Sequence, residues 1–389
     1  MRDRAEIASP EKTSDRLRVV FVGAFAAASG NSPQGGVITA SRGLLHSPIS
    51  RSVEWIPVDT TSGAVPPPPL RVRMLRAAAR AVRFAWILAT DRVDLAFVMT
   101  SDGSSFVEKG AMALFARAMG VPVVLAPRSG FIADDLRHSR FFRWYVPLVL
   151  RSCSRVMCQG ASWAEFYGPL AGGRERIVTI PNWIEIDTLP RSQVAATAHR
   201  GVRVLYMGWV ERFKGIFDLI DAAAMAGAKL ADVTFVVCGK GGDFEAARAR
   251  VAAQGLADRF EFRGWVSGAE KARIFQDADV YVHPSHREGM PNALIEAMGA
   301  GLACIGARTG GVPDLLRSDA LGLLFDPGDV AGLSAALVEL CSDPARRAAL
   351  GATARSHVIA EHSVEATWPR VLQMFRAAIA DRGIASSTP

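Results

Sequence analysis

Residues 279–301 read DVYVHPSHREGMPNALIEAMGAG, a stretch that passes from one kind of structure to another within a few positions. Asp279 to His283 is a short apolar run with the composition of a buried strand. A polar loop follows, and Pro291 then suits the first turn of a helix continuing to about Ala300, where the amide that proline lacks would have no partner anyway. The amides around Gly289, Met290 and Asn292 are left at a helix start, where the helix dipole favours an anion such as a diphosphate. Gly289 lets such a group come close to the backbone. Glu288 before the helix and Glu296 on it are placed to flank one ligand, and carboxylates accept hydrogen bonds from hydroxyl groups. A surface loop followed by an ordinary helix with one acid on it would have the same composition.

The same strand-then-helix rhythm extends outward in both directions. LRVVFVGAF from Leu17, DLAFVMT from Asp94, VPVVLAPRSGF from Val121 and SRVMCQG from Ser154 alternate with longer alanine-rich segments. RVLYMGW from Arg203, VTFVVCGKG from Val233, FEFRGWV from Phe260, the strand at Asp279 and ACIGART from Ala303 repeat the pattern. Apolar strands joined by helices imply parallel sheets covered on both faces. Between the two series, the segment after Ile180 carries two prolines and no sustained apolar period, and reads as a connection. The expected division is a loose tail at 1–16, an N-terminal domain at 17–181, a linker at 182–201, a C-terminal domain at 202–364 and a final helix at 365–383. Ligands of open α/β sheets collect beyond the carboxyl ends of the strands, so two such domains facing each other would form a cleft.

Composition narrows the class. The 389 residues suffice for two cores, and no apolar run is long enough to cross a bilayer. The first sixteen residues are charged and lack the apolar segment of a secretory signal. Five scattered cysteines with no CxxC pair argue against a disulfide framework and a structural zinc site, and suit a reducing cytoplasm. Through residue 190 there are 23 Lys/Arg against 16 Asp/Glu, and beyond it 22 against 22, so the whole excess is N-terminal. Such a half suits an anionic partner, or a solvated basic face.

The segment His283–Gly301 resembles the Glu-x7-Glu signature of family 4 retaining glycosyltransferases, from its leading HPS through EGMP to AMGAG. GARTGGVPDLL from Gly306, the segment from Leu321 to Gly351, and FRGWVSGAEKARIFQDADVYV from Phe262 are similar to the same family. The resemblance implies the GT-B fold, an α/β architecture of two Rossmann-like domains facing a central cleft, with the last helix crossing back to the N-terminal domain. It implies that Glu288 contacts the donor sugar, that Glu296 binds the ribose, and that backbone near Gly264 and Val266 meets the base.

GWVERFKG, residues 208–215, follows a strand and departs from the family pattern. Fixed cations stabilise a departing diphosphate, and Lys214 suits that task. The family commonly has G-R-x-x-x-x-K-G here; Trp209 stands in place of the arginine, and Arg212 is the candidate to supply its charge. In SGNSPQGGVITASRGLL, Gly35 and Gly36 precede a helix and resemble a glycine pair that faces the cleft. Neither a GxGxxG fingerprint at this turn nor a P-loop at GKGG, 239–242, is present. In LAPRSGF, residues 125–131, many relatives have a histidine facing the donor sugar and others a Pro-Arg pair, which Pro127-Arg128 resembles; Arg128 suits a sugar or acceptor phosphate, or equally a structural ion pair. No histidine is assigned a role.

LRVRMLRAAARAVRFAWIL, residues 70–88, places Arg73, Arg76, Arg80 and Arg83 on one arc of a helix, with Leu75, Val82, Trp86 and Leu88 roughly opposite. No acid lies between Asp59 and Asp91. It reads as a sheet-covering helix with a solvated basic face, or as one lying on an anionic membrane.

The expected activity is transfer of a hexose-type sugar from a nucleotide diphosphate, UDP- or GDP-linked, to a hydroxyl acceptor. The expected acceptor is lipid-linked or a saccharide, in cell-surface polysaccharide or glycolipid assembly. The resemblance implies retention and no metal. Expected catalytic residues are Glu288, Lys214 and Arg212. Donor-binding residues are Glu296, Gly289, Met290, Pro291, Asn292, Gly264, Val266 and Gly208, and Gly35, Gly36 and Arg128 serve phosphate or acceptor. No cofactor beyond the sugar nucleotide and no nucleic-acid partner is expected. The expected location is cytoplasmic, at the inner face of the membrane if peripheral. The alternatives are a GT-B sugar-nucleotide epimerase and a catalytically silent binding subunit.

Overall fold

A computed structural model describes residues 16–25, 36–61, 68–186, 189 and 201–385. Two parallel sheets of six strands each make up its frame. The first contains β1 (Leu17–Gly23), β2 (Val53–Asp59), β3 (Leu95–Thr100), β4 (Val123–Pro127), β5 (Arg155–Cys158) and β6 (Ile177–Thr179), in the order β2-β1-β3-β4-β5-β6. The second contains β7 (Val202–Met207), β8 (Val233–Cys238), β9 (Phe260–Gly264), β10 (Val280–His283), β11 (Ala303–Ala307) and β12 (Leu323–Phe325), in the order β12-β11-β10-β7-β8-β9. The central strands are apolar throughout because both faces are covered: β3 and β4 are buried at every residue.

In the first sheet the covering helices are α1 (Gly36–His46), α2 (Leu70–Thr90), α3 (Gly103–Ala118), α4 (Ile132–His138), α5 (Arg140–Ser152) and α6 (Ala161–Leu170). Those of the second sheet are α7 (Ile216–Ala226), α8 (Phe244–Ala253), α9 (Gly268–Asp277), α10 (Asn292–Ala300), the short α11 (Val312–Leu315), α12 (Val330–Ser342) and α13 (Pro344–His362). The last helix, α14 (Val364–Ala385), packs Val371, Met374 and Phe375 against Val19, Phe21 and Phe97 of the first sheet. Arg370 donates to the Thr179 carbonyl at 2.8 Å, fixing α14 beside β6.

Three local readings shift. Strand β10 starts at Val280, and the Asp279 carboxylate just before it accepts the Arg203 amide at 2.7 Å. The 182–201 segment begins as packed structure: Asn182, Trp183 and Ile184 are buried, and Ile184 forms a parallel bridge with Ser363. The remainder of that segment lies almost wholly outside the described residues. In α2 only Phe84, Ile87 and Leu88 are buried. Leu75, Val82 and Trp86, read as one arc with Leu88, face solvent. The basic arc is not simply solvated either, since Arg80 pairs with Glu108 of α3 at 2.7 Å.

Candidate functional site

The carboxyl ends of both sheets border one cavity of about 320 Å³, within the range of small-molecule sites. Glu288, in the loop between β10 and α10, lines it. The loop is pressed between backbones from both sides of the cleft. Gly310, at φ +52°, lies where a Cβ would stand 2.0 Å from the Glu288 carbonyl, and a Cβ on Gly130 would stand 2.3 Å from it. Gly311 donates to the Gly289 carbonyl at 2.6 Å, and the Trp163 indole reaches the same oxygen at 2.8 Å from the first domain. These contacts fix where the Glu288 side chain can point.

Lys214 arrives by a different route. It ends a three-residue 3-10 turn, Arg212–Lys214, and Gly215 follows in the left-handed region at φ +73°. Any side chain on Gly215 would strike the Pro284 carbonyl, since a Cβ would lie 1.9 Å away. The His286 amide donates to the Phe213 carbonyl at 2.8 Å, so the two loops are locked together. Lys214 Nζ then stands 2.5 Å from Glu288 Oε1. His283 Nε2 approaches the same oxygen to 2.8 Å, while its Nδ1 faces the Tyr281 hydroxyl at 3.2 Å. Burial alone would raise the Glu288 pKa, but Lys214 and then His283 outweigh it and hold the carboxyl down to about 2. Glu288 is therefore a carboxylate at neutral pH.

Glu296 is about one turn into α10 and shares the cavity. Its Oε1 accepts from Lys271 Nζ of α9 at 2.8 Å. Trp209 and Trp265 stand together on the cavity wall, ring centroids 5.7 Å apart, and the Tyr206 hydroxyl donates to the Trp209 carbonyl at 2.7 Å. On the first-domain side are Gly36, Val37 and Arg128. Arg128 Nη1 donates to Asn182 Oδ1 at 2.5 Å, and its guanidinium carbon lies 5.2 Å from the Trp183 ring centroid. Its Nε and Nη2 have no hydrogen-bond partner. Burial lowers its pKa to about 10, which leaves it cationic at neutral pH. Asn182 also donates to Asn292 Oδ1 at 2.7 Å and to the Met290 carbonyl at 2.9 Å, joining the two domains through the start of α10.

The charges of this cavity form a pattern. Lys214 and Lys271 each have a carboxylate, whereas Arg128 has none among the described residues. The structural ion pair open to Arg128 from sequence is therefore not formed. The cavity holds one cation more than the protein neutralises, and an anionic ligand would complete it.

Most expected site residues meet here: Glu288, Lys214, Glu296, Gly289, Met290, Pro291, Asn292, Val266, Gly208, Gly36 and Arg128 all border the cavity. Pro291 caps α10 rather than occupying its first turn, with extended backbone at ψ 114°. Gly264 is not on the wall; its carbonyl accepts the Gly239 amide at 2.7 Å, turning it toward β8. Arg212 is not there either. Residues two apart in a 3-10 turn leave on different faces, and the Arg212 guanidinium lies exposed over the Phe217 ring, 4.7 Å from its centroid. Gly35 lies outside the described residues. His283, Lys271, Asn182 and Trp265 were not singled out from sequence. Only His283 had a signal, its position five residues before Glu288 at a strand end.

No group of three or more histidine, cysteine or acidic side chains suited to a metal occurs among the described residues, and none of their helices is long and apolar enough to span a membrane.

Comparison with known proteins agrees with this geometry. Residues 18–183 match the family described as Glycosyl transferase 4-like domain, and residues 192–357 match Glycosyl transferases group 1. The chain is 28% identical over 350 residues to a 2-deoxystreptamine N-acetyl-D-glucosaminyltransferase of Streptomyces fradiae, covering 80% of this chain and 82% of that protein. A GDP-mannose-dependent monoacylated alpha-(1-6)-phosphatidylinositol monomannoside mannosyltransferase of Corynebacterium glutamicum is 30% identical over 171 residues, covering 42% of this chain and 44% of its own. A 2-deoxystreptamine N-acetyl-D-glucosaminyltransferase of Niallia circulans likewise matches over only 44% of each chain, at 27% identity. In fold, the chain is similar to a sucrose-phosphate synthase of Thermosynechococcus elongatus, with a TM-score of 0.77 at 21% identity over 94% of this chain and 100% of that one. The Anabaena protein HepE, solved with UDP-glucose, gives 0.71 at 17% identity over 93% of this chain and 100% of its own. With two parallel six-stranded sheets around a cleft and both family domains in sequence order, the chain belongs to the group 1 glycosyl transferases and has the GT-B fold.

Proposed function

We propose that the cleft binds a nucleotide-diphosphate sugar and transfers its hexose-type sugar, with retention, to a hydroxyl of a lipid-linked or saccharide acceptor. The observation that carries this reading is the charge pattern of the cavity: two carboxylates, each held by a lysine, and one arginine without a counter-charge. In this reading Glu296 accepts from the ribose hydroxyls and Glu288 from the donor sugar. Lys214 and the start of α10 meet the diphosphate, and Trp209 and Trp265 offer an apolar wall to the base. UDP and GDP are the donor classes to test first, since named relatives and structural neighbours use or bind them.

In the proposed transfer, the bond from C1 to the departing phosphate oxygen breaks while the acceptor oxygen bonds to C1 on the same face. The acceptor proton passes to the departing diphosphate. Glu288, kept ionised, does not carry that proton; with Lys214 it orients the donor and balances charge. A metal-independent reaction follows from this reading, because Lys214, Arg128 and the helix start supply the positive charge. An acceptor destined for glycolipid or polysaccharide assembly at the membrane is part of the same proposal.

The test is a screen of UDP-, GDP- and ADP-sugars by thermal shift and hydrolysis, with and without a chelator, followed by proton NMR of the glycoside formed with the best donor. Stabilisation by one donor, release of its diphosphate and a product of the donor's own anomeric configuration are expected. If no sugar nucleotide bound, the proposal would be wrong at its root; an inverted product would overturn the retaining step alone.

A further inference from the structure

Helix α2 shows the wrong face to water for a helix that only covers a sheet. Leu70, Met74, Leu75, Val82 and Trp86 are between 64% and 71% exposed, while two arginines of the basic arc, Arg73 and Arg80, reach α3. There Arg73 donates to Ser104 at 3.2 Å and Arg80 forms a two-armed pair with Glu108. Two positions along the same layer, α5 repeats the arrangement. Its inner stripe, Tyr145, Val146, Val149 and Leu150, is buried against the core that also takes Phe84, Ile87 and Leu88 of α2. Its outer stripe of Phe141, Trp144 and Leu148 is exposed, Trp144 by 63%.

Large apolar side chains in water on two helices of one layer, with α3 packed between them, two of these side chains being tryptophans, are what an interfacial surface presents. We propose that the outer face formed by α2 and α5 docks on an anionic lipid bilayer. The charge around it selects that occupant. Arg71, Arg76, Arg83, Arg140 and Arg143 are exposed and have no carboxylate partner among the described residues. The acids within α3 and α4 are already engaged: Glu108 holds Arg80, Asp134 holds Arg287, and Asp135 accepts the Gly103 amide. The face is thus apolar at its centre and basic at its rim, with arginine stems able to lie along the apolar surface while their heads reach phosphates. A second copy docked two-fold on the same face would bring arginine against arginine, which works against self-association.

The face also has a direction. In each parallel unit the helix starts beyond the carboxyl end of the preceding strand, so Leu70 and Met74 of α2 lie at the cleft end of the layer. The Arg73–Ser104 and Gly103–Asp135 bonds tie that end of α2 to α3 and α4, next to the start of α5 with Phe141 and Trp144. A bilayer held there would lie beside the first-domain wall of the cleft. This inference does not depend on which donor the cleft takes.

The experiment is co-sedimentation of the full chain with vesicles of phosphatidylcholine alone and of phosphatidylcholine mixed with phosphatidylglycerol, at low and high salt. Binding to the anionic vesicles alone, weakened by salt, is expected. Trp86→Ser with Trp144→Ser, and separately Arg71→Glu with Arg76→Glu, should each cut the bound fraction at least about tenfold. Their melting temperatures should be unchanged, since these side chains are exposed. Absence of binding to anionic vesicles, equal binding by the variants, or a dimer in sedimentation velocity that the tryptophan variant dissolves would each overturn the proposal.

Discussion

Lys214 Nζ and Glu288 Oε1 stand 2.5 Å apart although 74 residues separate them, and both side chains are largely buried at the centre of the cleft. Such a pair is set by two loops that glycine packing locks together, not by the intrinsic preference of either residue.

Removal of Lys214 leaves Glu288 with His283 as its remaining partner. Lys214→Ala should therefore cost about 2 kcal/mol of stability, below the ~3–5 kcal/mol of a buried pair broken outright. Urea unfolding checks this. Lys214→Ala combined with Glu288→Ala should recover part of the loss, because the stranded carboxylate is then gone.

The second carboxylate predicts a different kinetic signature. Lys271 orients Glu296 at 2.8 Å, away from the Lys214–Glu288 pair. Lys271→Ala should raise the donor KM about tenfold with kcat nearly unchanged, a loss of ~1.4 kcal/mol of ground-state binding. A comparable fall in kcat would move Glu296 into the chemical step.

Arg128 carries the cavity's unpaired charge. Arg128→Gln should lower kcat/KM by about a hundredfold, on the order of 2.7 kcal/mol, and leave stability unchanged or higher because a buried uncompensated charge has been removed. Steady-state kinetics and a melting curve on the same variant separate the two effects.

Gly215 makes a backbone prediction. With φ at +73° and the Pro284 carbonyl 1.9 Å from where a Cβ would be, Gly215→Val should destabilise the chain by ~3 kcal/mol and displace Lys214. Thermal unfolding and donor binding should fall together. Gly208→Ala, with no atom within 4 Å of a new Cβ, is the contrasting substitution and should leave stability nearly unchanged.

Stability should also decline in mild acid. His362, at the junction of α13 and α14, bonds the Asn182 carbonyl at 2.9 Å, and burial holds its pKa down to about 4 despite that bond. His357 and Arg317 also push it down, and Glu361 pushes the other way. An unfolded imidazole takes up its proton near 6.5, so below that pH the unfolded chain binds a proton that the native chain excludes. Stability then falls with pH, by about 2 kcal/mol between pH ~7.5 and ~5. Glu288 acts in a lower window: its contribution is intact above the unfolded carboxylate value and is lost as pH falls from about 4.5 towards 2. Urea titrations of wild type and His362→Gln should differ in slope between pH ~5 and ~7.5 and run parallel above it.

What the sequence revealed and what it concealed have separate physical causes. The passage from Val280 through Pro291 to Ala300 is local: a strand period, a turn with glycine and proline, then a helical period, all within reach of neighbouring residues. Glu288 and Glu296 were legible because that local structure points them the same way. Lys271, Asn182 and Trp265 reach the cleft through packing of elements distant in sequence, and no spacing announces them. Arg212 looked like a substitute for the arginine missing at Trp209 because it is near Lys214 in sequence; the 3-10 turn sends it outward over Phe217. In α2 the two-faced pattern was legible, but which face meets water depends on the packing of Phe84, Ile87 and Leu88 into the core of the first sheet.

The central claim is that this cleft is a sugar-nucleotide site in which Lys214 meets the diphosphate. Its most direct test is calorimetric titration of the stabilising sugar nucleotide into wild type and Lys214→Ala, with the corresponding nucleoside titrated in parallel. The account predicts that the variant, still folded, binds the sugar nucleotide ~10–100-fold more weakly while its affinity for the nucleoside, which lacks the phosphates, is unchanged. Equal sugar-nucleotide affinity in the two proteins would contradict it.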